Sequence, residues 1–83
     1  ESWQSLWLRG KAYQALSSAS LAYGSFKQAY FLMPENPDVV NEYLLEAINL
    51  NKVDEALQAG KVAVEQFPDH LGLQANYILL LIL

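Results

Sequence analysis

The segments AYGSFKQAYFLMP, residues 22–34, and ALQAGKVAVEQFP, residues 56–68, decide the fold of this 83-residue chain. A shift of 34 positions lays the first segment on the second, with alanine on alanine twice and proline on proline at the end. The matched pairs along the whole chain include Leu16 with Leu50, Ala22 with Ala56, Lys27 with Lys61, Ala29 with Ala63, Pro34 with Pro68, Tyr43 with Tyr77 and Leu45 with Leu79. A fixed period of this length indicates a repeat protein, in which helical units stack on one another.

The segments between the prolines are predicted to be helical. Apolar residues recur there at intervals of three and four, which is the spacing of an amphipathic helix, and no segment alternates with a period of two. The predicted helices span residues 2–16, 20–33, 37–50, 54–67 and 71–83. The fold class is therefore all-α, and the short connecting turns make consecutive helices antiparallel.

Several residues at the predicted helix ends have the chemistry that caps a helix. Ser20 and Asp54, which are 34 residues apart, are expected N-caps of the second and fourth helices. Asn36 before Pro37 reads as an N-cap followed by the first helical residue, where a missing N–H costs nothing. Asn51 suits the left-handed position that closes a helix, and His70 occupies the N-cap position of the last one.

The composition excludes several classes of function. The chain is 53% hydrophobic and 17% charged with a net charge of −4, which is too apolar for a disordered segment. Nucleic acids and anionic membrane surfaces are not expected partners, because both need clustered basic residues. The basic residues here are scattered, at Arg9, Lys11, Lys27, Lys52 and Lys61. The chain has no cysteine, so it has no disulfide and no thiol ligand, and its cellular location stays open.

The period and the side chains together resemble the tetratricopeptide repeat, a helix–turn–helix unit with a Trp, Leu, Gly, Tyr pattern followed by Ala, Phe and Pro. The matching run in the first unit is Leu6, Arg9, Gly10, Tyr13, Ala22, Phe26, Ala29 and Pro34. In the second unit it is Val40, Tyr43, Leu44, Ala47, Ala56, Gly60, Ala63 and Pro68. Arg9 departs from the pattern where Leu is usual, and Ala47 and Gly60 are smaller than the usual aromatic residues.

The resemblance implies a TPR-like α-solenoid of antiparallel helix pairs, with two repeats plus one extra helix. Repeat 1 would span residues 3–36, repeat 2 residues 37–70 and a partial third repeat residues 71–83, within a single domain of residues 1–83. The small residues at Gly10, Ala22, Ala29, Ala56 and Ala63 would let helix axes approach closely, while Tyr13, Phe26 and Tyr43 fill the gaps. Gly60 inside a helix costs about 1 kcal/mol relative to alanine, so a packing reason is expected.

The resemblance also implies a concave groove lined by the first helix of each pair, where a protein or peptide partner would bind. The groove residues that it indicates are Gln4, Trp7, Lys11, Gln14, Asn41, Leu45, Ile48 and Leu79. Trp7 is the best single anchor, because tryptophan is enriched among binding hot spots. One subgroup of the family clamps a partner's C-terminal carboxylate on this face, but Asp38 and Glu42 stand among the matching positions and would repel it.

No catalytic constellation stands out, so the chain is not expected to be an enzyme or to carry a cofactor or a metal. His70 is the only histidine, and it reads as a solvated turn residue. Glu42 and Glu46 lie four residues apart on one helix face, which reads as a solvated charged face. The serines at positions 17, 18 and 20 read as a turn with a cap.

The last helix is apolar on nearly every side. Residues 77–83 form a run of seven apolar residues, which is too short for a membrane span of about 20. A helix of this kind is normally buried, so we expect either a covering helix from a longer protein or self-association. The expected self-association residues are Leu79, Leu80, Ile82 and Leu83.

The favoured function is a protein-interaction module or scaffold that binds a peptide or helix in its groove. Two alternatives stay open at this point. One is a structural spacer within a longer solenoid. The other is an accessory factor for assembling envelope complexes, such as c-type cytochrome maturation, whose repeats resemble residues 35–47.

Overall fold

A computed structural model describes residues 2–83. Within that range every regular secondary-structure element is a helix. These are α1 (Trp3–Ala15), α2 (Ala19–Leu32), α3 (Pro37–Asn49), α4 (Val53–Gln66) and α5 (Leu71–Ile82). The prediction of an all-α fold with helices at these places is confirmed. The bounds differ from the predicted ones by a residue or so at each end.

The predicted N-caps of α2 and α4 are wrong. The residues that precede these helices are Ser18 and Lys52, and neither makes a side-chain capping bond, so Ser20 and Asp54 lie inside the helices. The preceding turn sets the start of each helix. The Ser18 N–H donates to the Tyr13 carbonyl at 2.9 Å, and the Lys52 N–H donates to the Ala47 carbonyl at 2.8 Å. In each turn the same residue, Ser18 or Lys52, therefore satisfies a carbonyl group at the end of one helix and directly precedes the first residue of the next helix.

The left-handed residues of these two turns lie 34 positions apart. Asn51 has φ 58°, as predicted for the residue that closes a helix, and Ser17 has the same φ. Serine adopts this conformation less readily than asparagine or glycine, so the position was not predicted at Ser17.

Two other caps are confirmed. The Asn36 side chain accepts hydrogen bonds from the N–H groups of Asp38 and Val39, and Pro37 follows it as the first residue of α3. At α5, His70 Nδ1 accepts from the Leu73 N–H at 3.1 Å. Both caps satisfy amide groups that a helix N-terminus would otherwise leave unpaired.

The helices pack in chain order, and α3 lies at the centre. It contacts α2, α4 and α5, while α1 packs on α2 and α4 packs on α5. The core lies between these helices, and its largest fully buried side chains are Phe26, Leu44, Leu73, Leu80, Val39 and Val40. The alanines expected at close helix contacts, namely Ala22, Ala29, Ala56 and Ala63, are all buried.

Glycine allows the closest approach between α1 and α2. A Cβ atom added at Gly10 would lie 2.5 Å from Cε1 of the buried Phe26 ring, so the ring occupies the space of the missing side chain. At the positions 34 residues further on, the large and the small residue are exchanged, with Leu44 in place of Gly10 and Gly60 in place of Phe26. A Cβ atom at Gly60 on α4 would lie 2.9 Å from the Tyr77 ring and 3.5 Å from Leu44 on α3. The expected packing reason for Gly60 is thus the close contact with the Tyr77 ring of α5.

Candidate functional site

Polar side chains connect α1 to α3. Lys11 Nζ donates to Glu42 Oε2 at 3.1 Å, and Gln14 Nε2 donates to Glu46 Oε2 at 2.9 Å. The partners in these pairs are 31 and 32 residues apart in the sequence. Two residues of the predicted groove, Lys11 and Gln14, therefore lie against α3 and already have hydrogen-bond partners.

Similar contacts connect α3 to α5. Asn76 Nδ2 donates to Asn41 Oδ1 at 2.7 Å, and His70 Nε2 lies 3.2 Å from Asp38 Oδ1. His70 Nδ1 accepts from the Leu73 N–H, so a neutral ring carries its proton on Nε2 and donates it to Asp38. His70 is therefore half-buried and bonded, and its interpretation as a solvated turn residue is wrong.

These contacts place α1, α3 and the start of α5 along one polar surface. We call it the α1–α3–α5 surface, made of Lys11, Gln14, Asp38, Asn41, Glu42, Glu46, His70 and Asn76. The other predicted groove residues differ in exposure. Gln4 and Leu79 are exposed, whereas Trp7, Leu45 and Ile48 are half-buried. Of these, Trp7 and Ile48 also pack against the core, so they contribute to stability as well as to any groove.

Trp7, the predicted anchor, has an unusual polar environment. Its ring packs against the core, and Lys11 Nζ lies 5.3 Å from the ring centroid. Among the described residues no acceptor pairs with its Nε1 atom, which is buried. A small cavity of about 160 Å³ lies beside the ring, lined by Trp3, Trp7, Asn36 and Asp38. Because a buried unpaired donor costs free energy, Trp7 is the groove residue with most to gain from an added acceptor.

Glu46 contradicts the expectation of a solvated acidic face on α3. It is only 3% exposed, and its carboxylate accepts hydrogen bonds from Gln14 and from Asn49 Nδ2, both at 2.9 Å. The 34-residue shift contains the missed signal, because it places Glu46 on Leu80, which is also buried. An apolar residue at the equivalent position indicates a packing position rather than a solvated one.

The expected self-association residues are only partly available. Leu80 is 1% exposed and belongs to the core, because α5 turns this side towards α3 and α4, so its assignment to an association surface is wrong. The rest of the helix keeps an apolar surface in solvent. We call this the α5 apolar face, consisting of Ile78, Leu79, Leu81, Ile82 and Leu83. Among residues 2–83, no helix combines the length and apolar character that crossing a membrane requires.

A second polar cluster, on α2 and α4, was not predicted. Glu55 accepts a hydrogen bond from the Tyr23 hydroxyl and pairs with Lys27 at 3.0 Å. The Tyr43 hydroxyl donates to the backbone carbonyl of the same glutamate at 3.4 Å, and the Tyr43 ring stacks on Tyr30 with centroids 5.0 Å apart. The cluster therefore ties the second helices of the two predicted pairs together.

Hydrogen bonds and burial shift the pKa values of three side chains in this cluster. The hydrogen bond from Tyr23, and then the one from Lys27, lower the pKa of Glu55 from its ordinary value of 4.5. Burial, and then the bond to Glu55, raises the pKa of Tyr23. The hydrogen bond to Glu55 likewise raises the pKa of Lys27. These contacts all favour a charged Glu55–Lys27 pair beside a neutral Tyr23. The cluster therefore has the character of a structural contact between α2 and α4.

The described residues contain no group of three or more His, Cys, Asp or Glu side chains placed to hold a metal ion. Comparison with models of protein families, with curated proteins and with solved structures found no match.

The lowered pKa of Glu55 predicts a pH-dependent contribution to stability. A group whose pKa is lowered by folding stabilises the fold above its unfolded pKa and loses that contribution as the pH falls through the folded value. We therefore expect wild type to be more stable than Glu55→Gln at about pH 7, with the difference shrinking below about pH 4.5. Urea unfolding followed by circular dichroism at several pH values measures this.

Tyr23→Phe provides the second variant, because it removes the largest cause of the lowered pKa. In the Tyr23→Phe background, Glu55→Gln should produce a smaller pH-dependent difference. A wild-type advantage over Glu55→Gln that stays constant or grows on acidification would contradict this interpretation of the cluster.

Proposed function

We propose that this chain is a TPR-like protein-interaction module, and that its α1–α3–α5 surface binds a peptide or helix of a partner protein. The observation that carries the proposal is the set of side-chain contacts from α1 to α3 and from α3 to α5, between residues 31 to 35 positions apart. Contacts at this spacing are what an array with one helix pair per 34 residues requires.

Local features support the division into repeats at residues 3–36 and 37–70 and a partial third at 71–83. Ser17 and Asn51 share the left-handed conformation at equivalent turns. The tight pair Gly10 and Phe26 corresponds to Leu44 and Gly60, so each predicted repeat places one large and one absent side chain at this contact. Size exchange of this kind preserves the packed volume while the residues change.

The chemistry of the surface indicates the kind of partner. The surface carries three carboxylates, those of Asp38, Glu42 and Glu46, and one lysine, Lys11, which is paired with Glu42. A partner's carboxylate would be repelled here, whereas amide groups, apolar side chains and basic groups would be accepted. The apolar part of the proposed binding site comes from three predicted groove residues, Trp7, Leu45 and Leu79. Binding without catalysis is the role that this arrangement favours.

A structural spacer within a longer array is the second candidate, and one observation favours it. The side chains of Lys11, Gln14 and Asn41 already form hydrogen bonds within the chain, to Glu42, Glu46 and Asn76 respectively. A partner would therefore have to compete with existing hydrogen bonds. A spacer would have no ligand of its own on this surface.

Peptide selection distinguishes the two candidates. We expect a random peptide library to yield ligands whose binding weakens at least about tenfold in the Leu45→Asn/Leu79→Asn double variant, because hot-spot side chains contribute most of the binding free energy. The matched control is Lys61→Asn/Glu65→Asn on the exposed side of α4, which should bind as wild type does. Fluorescence anisotropy gives the dissociation constants. A selection that yields no ligand, or only ligands whose binding is unchanged in the double variant, would contradict peptide binding in the groove. That result would favour the structural spacer.

The α5 apolar face predicts self-association of the chain. Ile82 is 73% exposed and Leu79 is 46% exposed, and exposed apolar residues close together on one helix favour contact with another apolar surface. We expect the mass measured by light scattering to rise with concentration in wild type and to stay monomeric in Leu79→Glu/Ile82→Glu. Leu8→Glu on α1, at a leucine that is 64% exposed, is the control and should associate as wild type does. A wild-type chain that stays monomeric at high concentration would contradict the prediction.

A further inference from the structure

A polar pocket lies where the α1–α2 turn meets the end of α3. Its volume is about 250 Å³, and it is lined by Gln14, Ser17, Ser18, Ala19, Glu46 and Asn49. This is below the roughly 300–1,000 Å³ of pockets that hold whole small-molecule ligands, so it suits the end of one side chain. The lining carries hydroxyl and amide groups around one carboxylate.

The carboxylate is that of Glu46, which is 97% buried because only 3% of the residue is exposed. Both hydrogen bonds that the structure gives it come from neutral amides, Gln14 to one oxygen and Asn49 to the other. A carboxylate has about four acceptor positions, so about two remain on Glu46. Buried charges in proteins are normally paired with an opposite charge, because a buried unpaired charge is costly.

The helix ends around the pocket add to its negative character. α1 ends at Ala15 and α3 at Asn49, and neither helix has a basic residue in its last turn. The C-terminal end of a helix carries a partial negative charge, which a nearby cation complements. α2 begins at Ala19 and contributes the opposite sign, so two helix ends favour a cation and one opposes it.

We propose that this pocket binds the guanidinium group of an arginine side chain. A guanidinium is planar, carries several N–H donors and pairs with a carboxylate through two parallel hydrogen bonds. The two free acceptor positions of Glu46 match that fork. The hydroxyl oxygens of Ser17 and Ser18 and the amide oxygens of Gln14 and Asn49 are available for the remaining N–H groups. An ammonium group, which is a compact point charge, would use fewer of these acceptors.

The inference deepens the proposed function and rests on it for the source of the arginine, which would be a partner's side chain at one end of the α1–α3–α5 surface. Gln14 belongs to both places, since it lines the pocket and was predicted as a groove residue. The pocket itself can be tested without a partner, using a small molecule that carries the same group.

Titration of the isotope-labelled chain with N-acetyl-L-arginine amide, followed by NMR, tests the proposal. We expect saturable shifts of the side-chain amide signals of Gln14 and Asn49. N-acetyl-L-citrulline amide, which is uncharged and similar in shape, should bind at least about tenfold more weakly, because hydrogen bonds to a charged group are the stronger ones. Equal shifts from both probes, or no shift at these residues, would overturn the proposal.

Two variants and one control locate the binding. Glu46→Gln should weaken arginine-amide binding at least about tenfold, whereas Glu65→Gln, at an exposed position on α4, should leave it unchanged. Ser18→Leu fills the pocket without removing the carboxylate, and it loses no cap because the Ser18 side chain caps nothing. It should abolish binding even if Glu46→Gln proves unstable. Binding that survives in Ser18→Leu would overturn the assignment.

The two sets of binding measurements distinguish an error about the arginine pocket from an error about the peptide-binding groove. Peptide ligands that depend on Leu45 and Leu79, combined with no arginine-amide binding, would remove the pocket alone. Arginine-amide binding at Glu46, combined with the absence of peptide ligands, would remove the groove alone.

Discussion

The contact between Phe26 and Gly10 sets how closely α1 packs on α2, and the polar contacts from α1 to α3 follow from it. The ring edge occupies the place of a Cβ atom, so α1 and α2 approach more closely than any other side chain at position 10 would allow. A close approach recurs on α4, where a Cβ atom at Gly60 would lie 2.9 Å from the Tyr77 ring of α5. In both places glycine gives up helix propensity of about 1 kcal/mol relative to alanine in exchange for packing.

The polar contacts follow from this packing. With α1 fixed on α2 and α2 on α3, the side chains of Lys11 and Gln14 come within hydrogen-bond distance of α3. The buried carboxylate of Glu46 is tolerated because two amides reach it, and the Glu55 cluster holds the second helices together on the other side. The surface thus follows from helix packing, and the pocket forms where the α1–α2 turn meets the end of α3.

The sequence allowed the helices and the small packing residues to be predicted, because both depend on local periodicity and on the 34-residue shift. Asn36, Asn51 and His70 were placed correctly, since their capping chemistry is local. The N-caps at Ser20 and Asp54 were wrong because a shared turn residue sets the helix start. The burial of Glu46 and Leu80 and the bond from Tyr23 to Glu55 were missed, because they depend on which face of a helix meets a distant neighbour.

A double-mutant cycle at Gly10 and Phe26 measures how strongly the stability of the fold depends on this contact. The free energy of unfolding is measured for wild type, Gly10→Ala, Phe26→Leu and the double variant, with Gly24→Ala as a helix-propensity control that has open space around its Cβ. Gly10→Ala should destabilise the chain where Gly24→Ala does not. In the Phe26→Leu background, which removes the ring edge, the same change should cost at least about 1 kcal/mol less. A cost that is equal in both backgrounds would show that the Phe26 ring does not limit the approach of α1 to α2.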